Sequence, residues 1–342
     1  MATQELAATL GNAAERGAQW LLARQQPDGS FAGATGLDDY YKAPLGLIVT
    51  GHLGEADLVL DFIAERYLQP DGDLDGSDLS WFETFRIYPH SWIVIAAMMR
   101  GRFEMAHSML RVLVDFHDEN TGGVFATQAA HASLSGPQEM MSSSVAGLAC
   151  LWAGRLDIAQ RAGMWLEQIY NTQPDLTRGL YHVWDSENGL VTQFATEEAI
   201  SYLIDASELS QWYFQYGISA AFLSCLHGAT REKKWLELAQ KYLRASQHCR
   251  EDVYRQPTSG KIGWGAAWTY RLSRDPADRE MAEAVGAGLR ALQRPDGYWG
   301  SVGVYDLQTN PTPDPSLAVT GEFVTLLGFM EFALQDGRAV EK

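Results

Sequence analysis

The chain has few cysteines and fewer basic than acidic side chains. Its 342 residues include three cysteines, Cys150, Cys225 and Cys249, without a Cys-x-x-Cys spacing, so neither a disulfide framework nor a thiolate zinc site is indicated. The net charge of −17 argues against a nucleic-acid or anionic-membrane partner, because an acidic surface repels phosphate. A reducing cytoplasm is the simplest setting.

Long apolar runs are also missing. Residues 1–16 contain no basic stretch followed by an apolar one, and no window reaches the roughly 18 apolar residues that a membrane-spanning helix needs. We therefore expect a soluble, untargeted protein with no membrane partner. The sequence leaves open whether it forms a homo-oligomer.

What the sequence does contain is a repeated turn phrase built on Gln, Pro, Asp and Gly. It occurs, with variations, at 25–31, 69–72, 118–125, 173–175, 256–260 and 293–299. An apolar segment with helical spacing lies on each side of every copy, which is the pattern of helical hairpins in series. The six copies predict one domain over 1–342, an all-α (α/α)6 barrel with a central cavity.

Each interval between turn phrases divides into two helices. The more charged helices are expected on the outside, at about 5–24, 55–68, 103–116, 155–171, 231–249 and 277–292. The less charged ones are expected to form the inner ring, at about 40–52, 84–100, 138–153, 209–227, 263–273 and 315–334. Proline near the start of four inner helices suits the first helical turn, where a missing N–H costs nothing.

The interval between the fourth and fifth turn phrases is longer than the others. It holds an insertion at 179–207, in which Asn188-Gly189 separates two alternating apolar runs. Asn-Gly in this setting is a strong β-hairpin signal, so we predict a hairpin followed by a short helix. A long addition to a ring often covers an opening, so the insertion is a candidate lid; a surface decoration is the alternative.

Two of the turn phrases carry a fuller motif. Arg16-Gly17-x-x-Trp20-Leu21-x-x-x-Gln25-x-x-x-Gly29-Ser30-Phe31, and the shorter Gln293-x-x-x-Gly297-Tyr298-Trp299, resemble the QW repeat of the terpenoid cyclase and protein prenyltransferase α/α-toroid superfamily. The resemblance implies the toroid fold. It also implies that Trp20, Gln25, Gln293 and Trp299 are architectural and tie each outer helix to the next inner one.

The catalytic signatures of that superfamily are absent from the sequence. Asp38-Asp39 and Asp71-Gly-Asp73-Leu-Asp75 both depart from the Asp-x-Asp-Asp acid of class II cyclases and from the Asp-Asp-x-x-Asp magnesium motif. The segment 314–322, where the resemblance places the prenyltransferase zinc ligands, has neither Cys nor His. We therefore expect no metal and no cofactor.

Residues at the starts of the inner helices should converge on one end of the cavity, because those helices run in the same direction around the ring. The catalytic candidates among them are His90, Asp38, Asp39, Glu322 and Tyr88. A carboxylate facing an apolar cavity would have a raised pKa and could act as an acid, although capping a helix is the plainer role for Asp38 or Asp39. His90 would be a proton shuttle or a structural histidine. Glu322 would be paired, with Arg86 as a candidate partner, or protonated, or facing water in the cavity.

The expected substrate-binding residues are mainly aromatic. They are Tyr41, Arg86, Trp92, Trp212, Tyr213, Tyr216, Trp264, Trp268 and Tyr305. Aromatic stripes at helical spacing are more often core than site, but inner helices must turn one side toward the cavity. Such walls hold apolar molecules, stabilise cations or stack on sugars.

These observations predict an enzyme that acts on a small molecule without a metal. The leading expectation is an acid/base cyclase, isomerase or dehydratase acting on a largely apolar terpenoid or polyketide-like substrate. A carbohydrate epimerase or hydrolase is the alternative, because sugar enzymes also use six-hairpin barrels. A non-catalytic binder of an apolar molecule is the third possibility.

Overall fold

The computed structural model describes residues 2–300 and 314–335. The α-helices in this part of the chain are α1 (Ala2–Leu22), α2 (Ala43–Val49), α3 (Leu53–Arg66), α4 (Ile87–Met99), α5 (Phe103–Asp115), α6 (Gln128–Ser133), α7 (Met140–Trp152), α8 (Leu156–Thr172), α9 (Phe214–Thr230), α10 (Lys233–Ala245), α11 (Gly260–Ser273), α12 (Pro276–Leu292) and α13 (Leu317–Leu334). The short strands are β1 (Pro137–Glu139), β2 (Gly179–Tyr181), β3 (Val183–Asp185), β4 (Gly189–Leu190) and β5 (Leu203–Asp205).

Twelve of these helices form a closed double ring. The inner helices α2, α4, α7, α9, α11 and α13 each pack against the next, and α13 packs against α2 to close the circle. The outer helices α1, α3, α5, α8, α10 and α12 pack outside them. This arrangement confirms the predicted all-α toroid. Only the short helix α6, between α5 and β1, has no counterpart among the predicted helices.

The chemical character of each ring follows from its surroundings. In α4 every residue from 87 to 97 is buried, since an inner helix touches its outer partner, two ring neighbours and the ring centre. Outer α10 is amphipathic: residues such as Trp235 and Leu238 are buried while its lysines face outward. The low charge of the inner helices is therefore a consequence of burial.

Aromatic side chains fill the centre of the ring over much of its depth. Trp92 on α4 contacts Trp264 on α11, on the other side of the ring, with a ring-centroid distance of 5.7 Å. Trp264 in turn stacks on Phe329 of α13 at 5.5 Å. The contact between Trp92 and Trp264 crosses the ring, so it separates the space near the inner-helix N-termini from a second cavity of about 380 Å³ near their C-termini, where Cys225 and Trp268 are among the lining residues.

The motif glutamines tie outer helices to each other. The Gln25 side chain donates to the Glu55 carbonyl at the start of α3, and the Gln293 side chain donates to the Ala13 carbonyl in α1, both at 2.8 Å. For the glutamines, the expected tie from an outer to an inner helix is therefore wrong, whereas Trp299 makes it: its indole N–H donates to a carbonyl of α12 at 2.8 Å, and its ring contacts a phenylalanine of α13 edge-on at 5.7 Å. The glutamine ends one outer helix and satisfies a carbonyl in the next outer helix around the ring.

The insertion contains the predicted hairpin. β3 and β4 pair antiparallel on either side of the turn at 186–188, with Gly189 opposite Asp185, and a short 3₁₀ helix follows at 196–201. Two further pairings were not predicted: β1 joins β3, and β2 pairs with β5. β1 immediately precedes inner helix α7, so the insertion is attached to the end of the ring where the inner helices begin. Its role as a lid stays a prediction.

One helix in the described residues, Leu317–Leu334, is long and apolar enough to span a membrane. By length and composition alone, the expectation that the chain has no such segment is therefore wrong. This helix is α13, which packs against α1, α2, α11 and α12 within the ring. Its apolar character is accounted for by this packing.

The turn glycines allow a direct test of the ring's close contacts. Gly29 and Gly33 both have a φ of +87°, but a Cβ on Gly29 would lie 2.0 Å from the Leu58 carbonyl oxygen, whereas a Cβ on Gly33 would meet nothing within 4 Å. Gly33→Ala should cost about 1–2 kcal/mol for the left-handed backbone alone. Gly29→Ala should lower the thermal unfolding midpoint more than Gly33→Ala does, because its new Cβ would also meet the Leu58 carbonyl. Equal midpoints for the two variants would contradict this packing.

Candidate functional site

A cavity of about 290 Å³ lies where the inner helices begin. All six inner helices contribute to its wall from their first turns or from the residues just before them. This confirms the geometric expectation that the helix starts converge. Its lining comprises Asp38, Tyr41, Lys42, Trp81, Phe85, Tyr88, Met141, Phe214, Pro257, Thr258, Lys261, Val319, Glu322 and Phe323.

The charged centre of this cavity is a carboxylate shared by two lysines. The Glu322 carboxylate on α13 accepts a hydrogen bond from Lys42, just before α2, and another from Lys261 on α11. The three side chains are 17%, 11% and 6% exposed, respectively. We call these residues the Lys-Glu-Lys cluster. It joins three consecutive inner helices, including the two that close the ring.

The cluster divides its protons unequally. Burial alone would raise the pKa of Glu322, but the two lysines outweigh burial and hold it at about 2. Burial lowers the pKa of Lys42, and Glu322 more than reverses this, so the pKa of Lys42 is raised. The pKa of Lys261 is lowered, because burial and the nearby Lys42 outweigh its attraction to Glu322. Lys261 is therefore the lysine that loses its proton more readily.

Asp38 has the opposite tendency to Glu322. It lies in the 3₁₀ helix just before α2 and lines the cavity. Burial raises the pKa of Asp38; Lys42 opposes this, while Asp39 and Glu322 add to it. The neighbouring Asp39 does not line the cavity, and its carboxylate accepts hydrogen bonds from the Thr35 N–H, at 2.8 Å, and the Thr35 hydroxyl. The two consecutive aspartates thus occupy different environments.

Two buried phenols complete the polar part of the wall. Burial raises the pKa of both Tyr41 and Tyr88 well above the usual tyrosine value, so their hydroxyls stay protonated. The Tyr88 ring lies near both lysines, 5.7 Å from the Lys42 nitrogen and 5.9 Å from the Lys261 nitrogen. These tyrosines can donate hydrogen bonds to a bound molecule and supply aromatic faces to it.

His90 and Arg86 lie outside the cavity lining. His90 is fully buried, and its ring nitrogens contact the Arg86 carbonyl and the Asp73 carboxylate, each at 2.9 Å. Arg86 pairs with Asp73 and Glu83, so the candidate pairing of Arg86 with Glu322 is wrong. This network holds the segment before α4, which carries two lining residues, Trp81 and Phe85.

The other predicted binding residues surround the cavity without lining it. Trp92, Trp264 and Trp268 belong to the aromatic layer beneath it, where Trp268 contacts Phe329 edge-on at 5.7 Å. Trp212 packs behind the wall against Phe85 and Phe214.

Two predicted tyrosines have partners in the segment that follows α10. The Tyr213 hydroxyl donates to Asp252 at 2.7 Å, and the Tyr216 hydroxyl contacts the Cys249 sulfur. Neither lines the cavity. Tyr305 lies outside the described residues.

Sequence reasoning missed both lysines. A signal for Lys261 was present, because it is the one cation between Gly260 and Tyr270, in the mainly apolar part of an inner helix. Lys42 directly precedes the α2 segment containing Pro44. Within the described residues, no group of three His, Cys, Asp or Glu side chains could hold a metal ion.

The chain was compared with known proteins at the level of sequence and of structure. No protein-family model matches it, and no curated protein matches its sequence. Solved structures do match it over nearly the whole chain. The α-1,6-mannanase GH76A from Salegentibacter sp. HEL1_6 is 15% identical, with 95% of this chain and 99% of the mannanase covered and a TM-score of 0.64.

Two further structures represent other chemistries on this fold. A D-mannose isomerase is 12% identical, with 96% of this chain and 97% of the isomerase covered and a TM-score of 0.69. The type II terpene cyclase MstE from Scytonema, solved with geranylgeranyl dihydroxybenzoate, is 15% identical, with 97% of this chain and 98% of the cyclase covered and a TM-score of 0.55. Identities this low show a common fold alone, the toroid used by these enzymes. The two sugar enzymes superpose better than the terpene cyclase.

The Lys-Glu-Lys cluster predicts a pH-dependent loss of stability in Glu322→Gln. Removing the shared carboxylate leaves two buried cations without a partner, a kind of change that costs about 3–5 kcal/mol. Because the pKa of Glu322 is depressed, the advantage of the wild type over the variant should be present above pH 4.5 and vanish as the pH falls toward 2. Urea unfolding at several pH values measures it.

A matched control for that variant lies on the same helix. Glu331→Gln, near the end of α13, removes a carboxylate that accepts a hydrogen bond from the Gln335 side chain. It should cost less than Glu322→Gln above pH 4.5. Equal losses in the two variants would contradict a special role for the cluster.

For Asp38→Asn we expect the opposite dependence of relative stability on pH. Its pKa is raised from the ordinary 3.8, so the wild type is most stable relative to Asp38→Asn below that pH and loses ground as the pH rises through the folded-state pKa. The difference in thermal midpoint, variant minus wild type, should therefore increase between pH 4 and pH 8. A constant or falling difference would show that Asp38 is not a desolvated carboxyl.

Proposed function

We propose that this chain is an acid/base isomerase or epimerase acting on a hydroxylated small molecule that carries a carbonyl group, with sugars as the first substrate class. The observation that carries the proposal is that Asp38 and Glu322 line one cavity while their pKa values are displaced in opposite directions. Environments that separate two such groups are how proteins set up an acid and a base.

Each charged group has a role in moving a proton between neighbouring carbons. Asp38 donates a proton to the carbonyl oxygen, and the Glu322 carboxylate accepts the proton from the adjacent carbon. The negative charge that develops on the substrate oxygens is stabilised by Lys42 and Lys261 and by the positive ends of the inner helices. Proton transfer of this kind interconverts aldoses with ketoses or inverts a hydroxyl-bearing carbon.

Substrate binding also strengthens the base. A carboxylate with a pKa of about 2 is a weak proton acceptor, and it is weak because two ammonium groups bind it. When a substrate oxygen takes the hydrogen bond of Lys261, Glu322 loses one of those two partners. Its pKa then rises toward the range useful for catalysis.

The wall suits a molecule with hydroxyl groups and one apolar face. Half of the lining side chains are polar, and aromatic residues such as Trp81 and Phe214 provide flat surfaces on which a sugar ring can stack. A site of about 290 Å³ accommodates a monosaccharide-sized molecule. The better superposition of the mannanase and the mannose isomerase supports this choice over a terpenoid, although a shared fold is an argument by analogy.

A terpenoid-like substrate is the second candidate, because the rest of the lining is strongly apolar. Phe85, Met141, Phe214, Val319 and Phe323 would surround a hydrocarbon chain, and protonation by Asp38 would then act on an alkene. In this case binding should strengthen with added apolar carbon atoms. A sugar substrate would instead lose affinity when single hydroxyl groups are removed.

Exchange with deuterated solvent tests the proposal without knowledge of the exact substrate. Removing a proton next to a carbonyl and returning another from D2O places deuterium on that carbon, which NMR detects across a panel of aldoses and ketoses. Asp38→Asn and Glu322→Gln should each slow exchange by roughly 10²–10⁴-fold. The control variants are Asp28→Asn and Glu331→Gln. Asp28 is exposed in the turn phrase at 25–31, and Glu331 lies near the end of α13.

The outcomes separate the three classes of function. Exchange that depends on Asp38 and Glu322 supports the isomerase. Sugar binding without exchange indicates a binding protein, and turnover of a prenylated compound without action on sugars favours the terpenoid reading. Exchange that persists unchanged in both variants would overturn the assignment of acid and base.

A further inference from the structure

We propose that Lys261 is a nucleophile that forms an imine with the carbonyl group of the substrate. This inference rests on the proposed function in one respect, the presence of a carbonyl compound in the cavity. It adds a covalent step that acid/base isomerisation does not need. It also gives Lys261 a second role, because the proton transfer above uses this residue only as a positive charge.

The position of Lys261 is unusual for a lysine. It is the second residue of α11, its side chain is 6% exposed, and it lines the cavity. Its nitrogen lies 5.3 Å from the Phe214 ring and 5.9 Å from the Tyr88 ring. A bound molecule in the cavity would therefore meet the amine directly, while bulk water has little access to it.

The neighbours of Lys261 favour the neutral amine that nucleophilic attack requires. Lys42 and Lys261 share one carboxylate, so the cluster carries one positive charge in excess, in a buried place. A lysine that is desolvated and close to another cation is the kind that reacts with carbonyl groups. The lowered pKa of Lys261, set by burial and by Lys42, agrees with this reading, whereas the raised pKa of Lys42 keeps that lysine a cation.

The step balances with the groups present. The neutral amine adds to the carbonyl carbon, a C–N bond forms, and the carbonyl oxygen takes a proton from Asp38 to become a hydroxyl. The nitrogen then gives up one proton, the hydroxyl accepts one and leaves as water, and a protonated imine remains, with no oxidant or reductant involved. Its positive charge acidifies the adjacent C–H bond, which helps a weak base such as Glu322 to remove that proton.

Reductive trapping tests the inference without measuring turnover. The full chain is incubated near neutral pH with dihydroxyacetone and cyanoborohydride, which reduces an imine to a stable amine, and labelled peptides are quantified by mass spectrometry. The chain has six lysines, of which Lys233, Lys234 and Lys241 lie on outer helix α10 and serve as internal references. Lys261 should be labelled at least roughly tenfold faster than these three.

Variants distinguish a reactive lysine from an accessible one. Lys261→Arg should abolish the fast label, and Lys42→Arg should preserve labelling at Lys261 because the neighbouring positive charge remains. Lys42→Met should slow labelling at Lys261, since its amine then holds its proton more tightly; this effect is absent from a lysine that is merely exposed. Circular dichroism establishes that each variant is folded, and Lys261→Met replaces Lys261→Arg if the latter is not.

The result that overturns the inference is labelling of Lys261 no faster than of the α10 lysines. That outcome would leave the proposed function standing if solvent exchange still depended on Asp38 and Glu322. Acetone provides the complementary control. Fast trapping of acetone at Lys261 without trapping of dihydroxyacetone would support the nucleophile while arguing against a sugar as its substrate.

Discussion

The ion pairs between Glu322 and its two lysines are the interaction on which both the ring and its site depend. They connect α2, α13 and α11, and α13 with α2 is the junction where the last inner helix meets the first. The closed toroid brings Lys42 and Glu322 together across 280 residues of sequence. Because unpaired charges are costly in such a place, the cluster favours the closed ring over open arrangements of the same hairpins.

The same burial that makes the cluster necessary also makes it reactive. One carboxylate between two ammonium groups keeps its charge, one lysine becomes easier to deprotonate, and Asp38 a short distance along the wall holds its proton more tightly. The contact between Trp92 and Trp264 across the ring centre separates this cavity from the space at the other end of the ring, so the acid, the base and the two lysines act at the end where the inner helices begin. The fold thus places an acid, a base and a cationic surface around a single small volume.

The architecture was largely predictable from the sequence, because each hairpin repeats the same turn and the inner helices must lose their charges to be buried. The site was predictable only in part. Asp38, Tyr41, Tyr88 and Glu322 were identifiable from their places at the starts of inner helices, but similar reasoning selected His90, whose partner Asp73 comes from a turn, and Trp92, which faces the aromatic layer. Which face of a helix meets the cavity depends on its rotation in the ring, and a single helix does not reveal this.

Infrared difference spectroscopy of the two carboxyl groups tests the central claim most directly. Subtracting the spectra of Asp38→Asn and of Glu322→Gln from that of the wild type isolates each group across a pH series. The account predicts that Asp38 keeps its protonated carboxyl band above its ordinary pKa of 3.8, while Glu322 remains a carboxylate down to about pH 2. Titration of both groups near their ordinary values would show that the cavity does not separate an acid from a base, and would contradict the account.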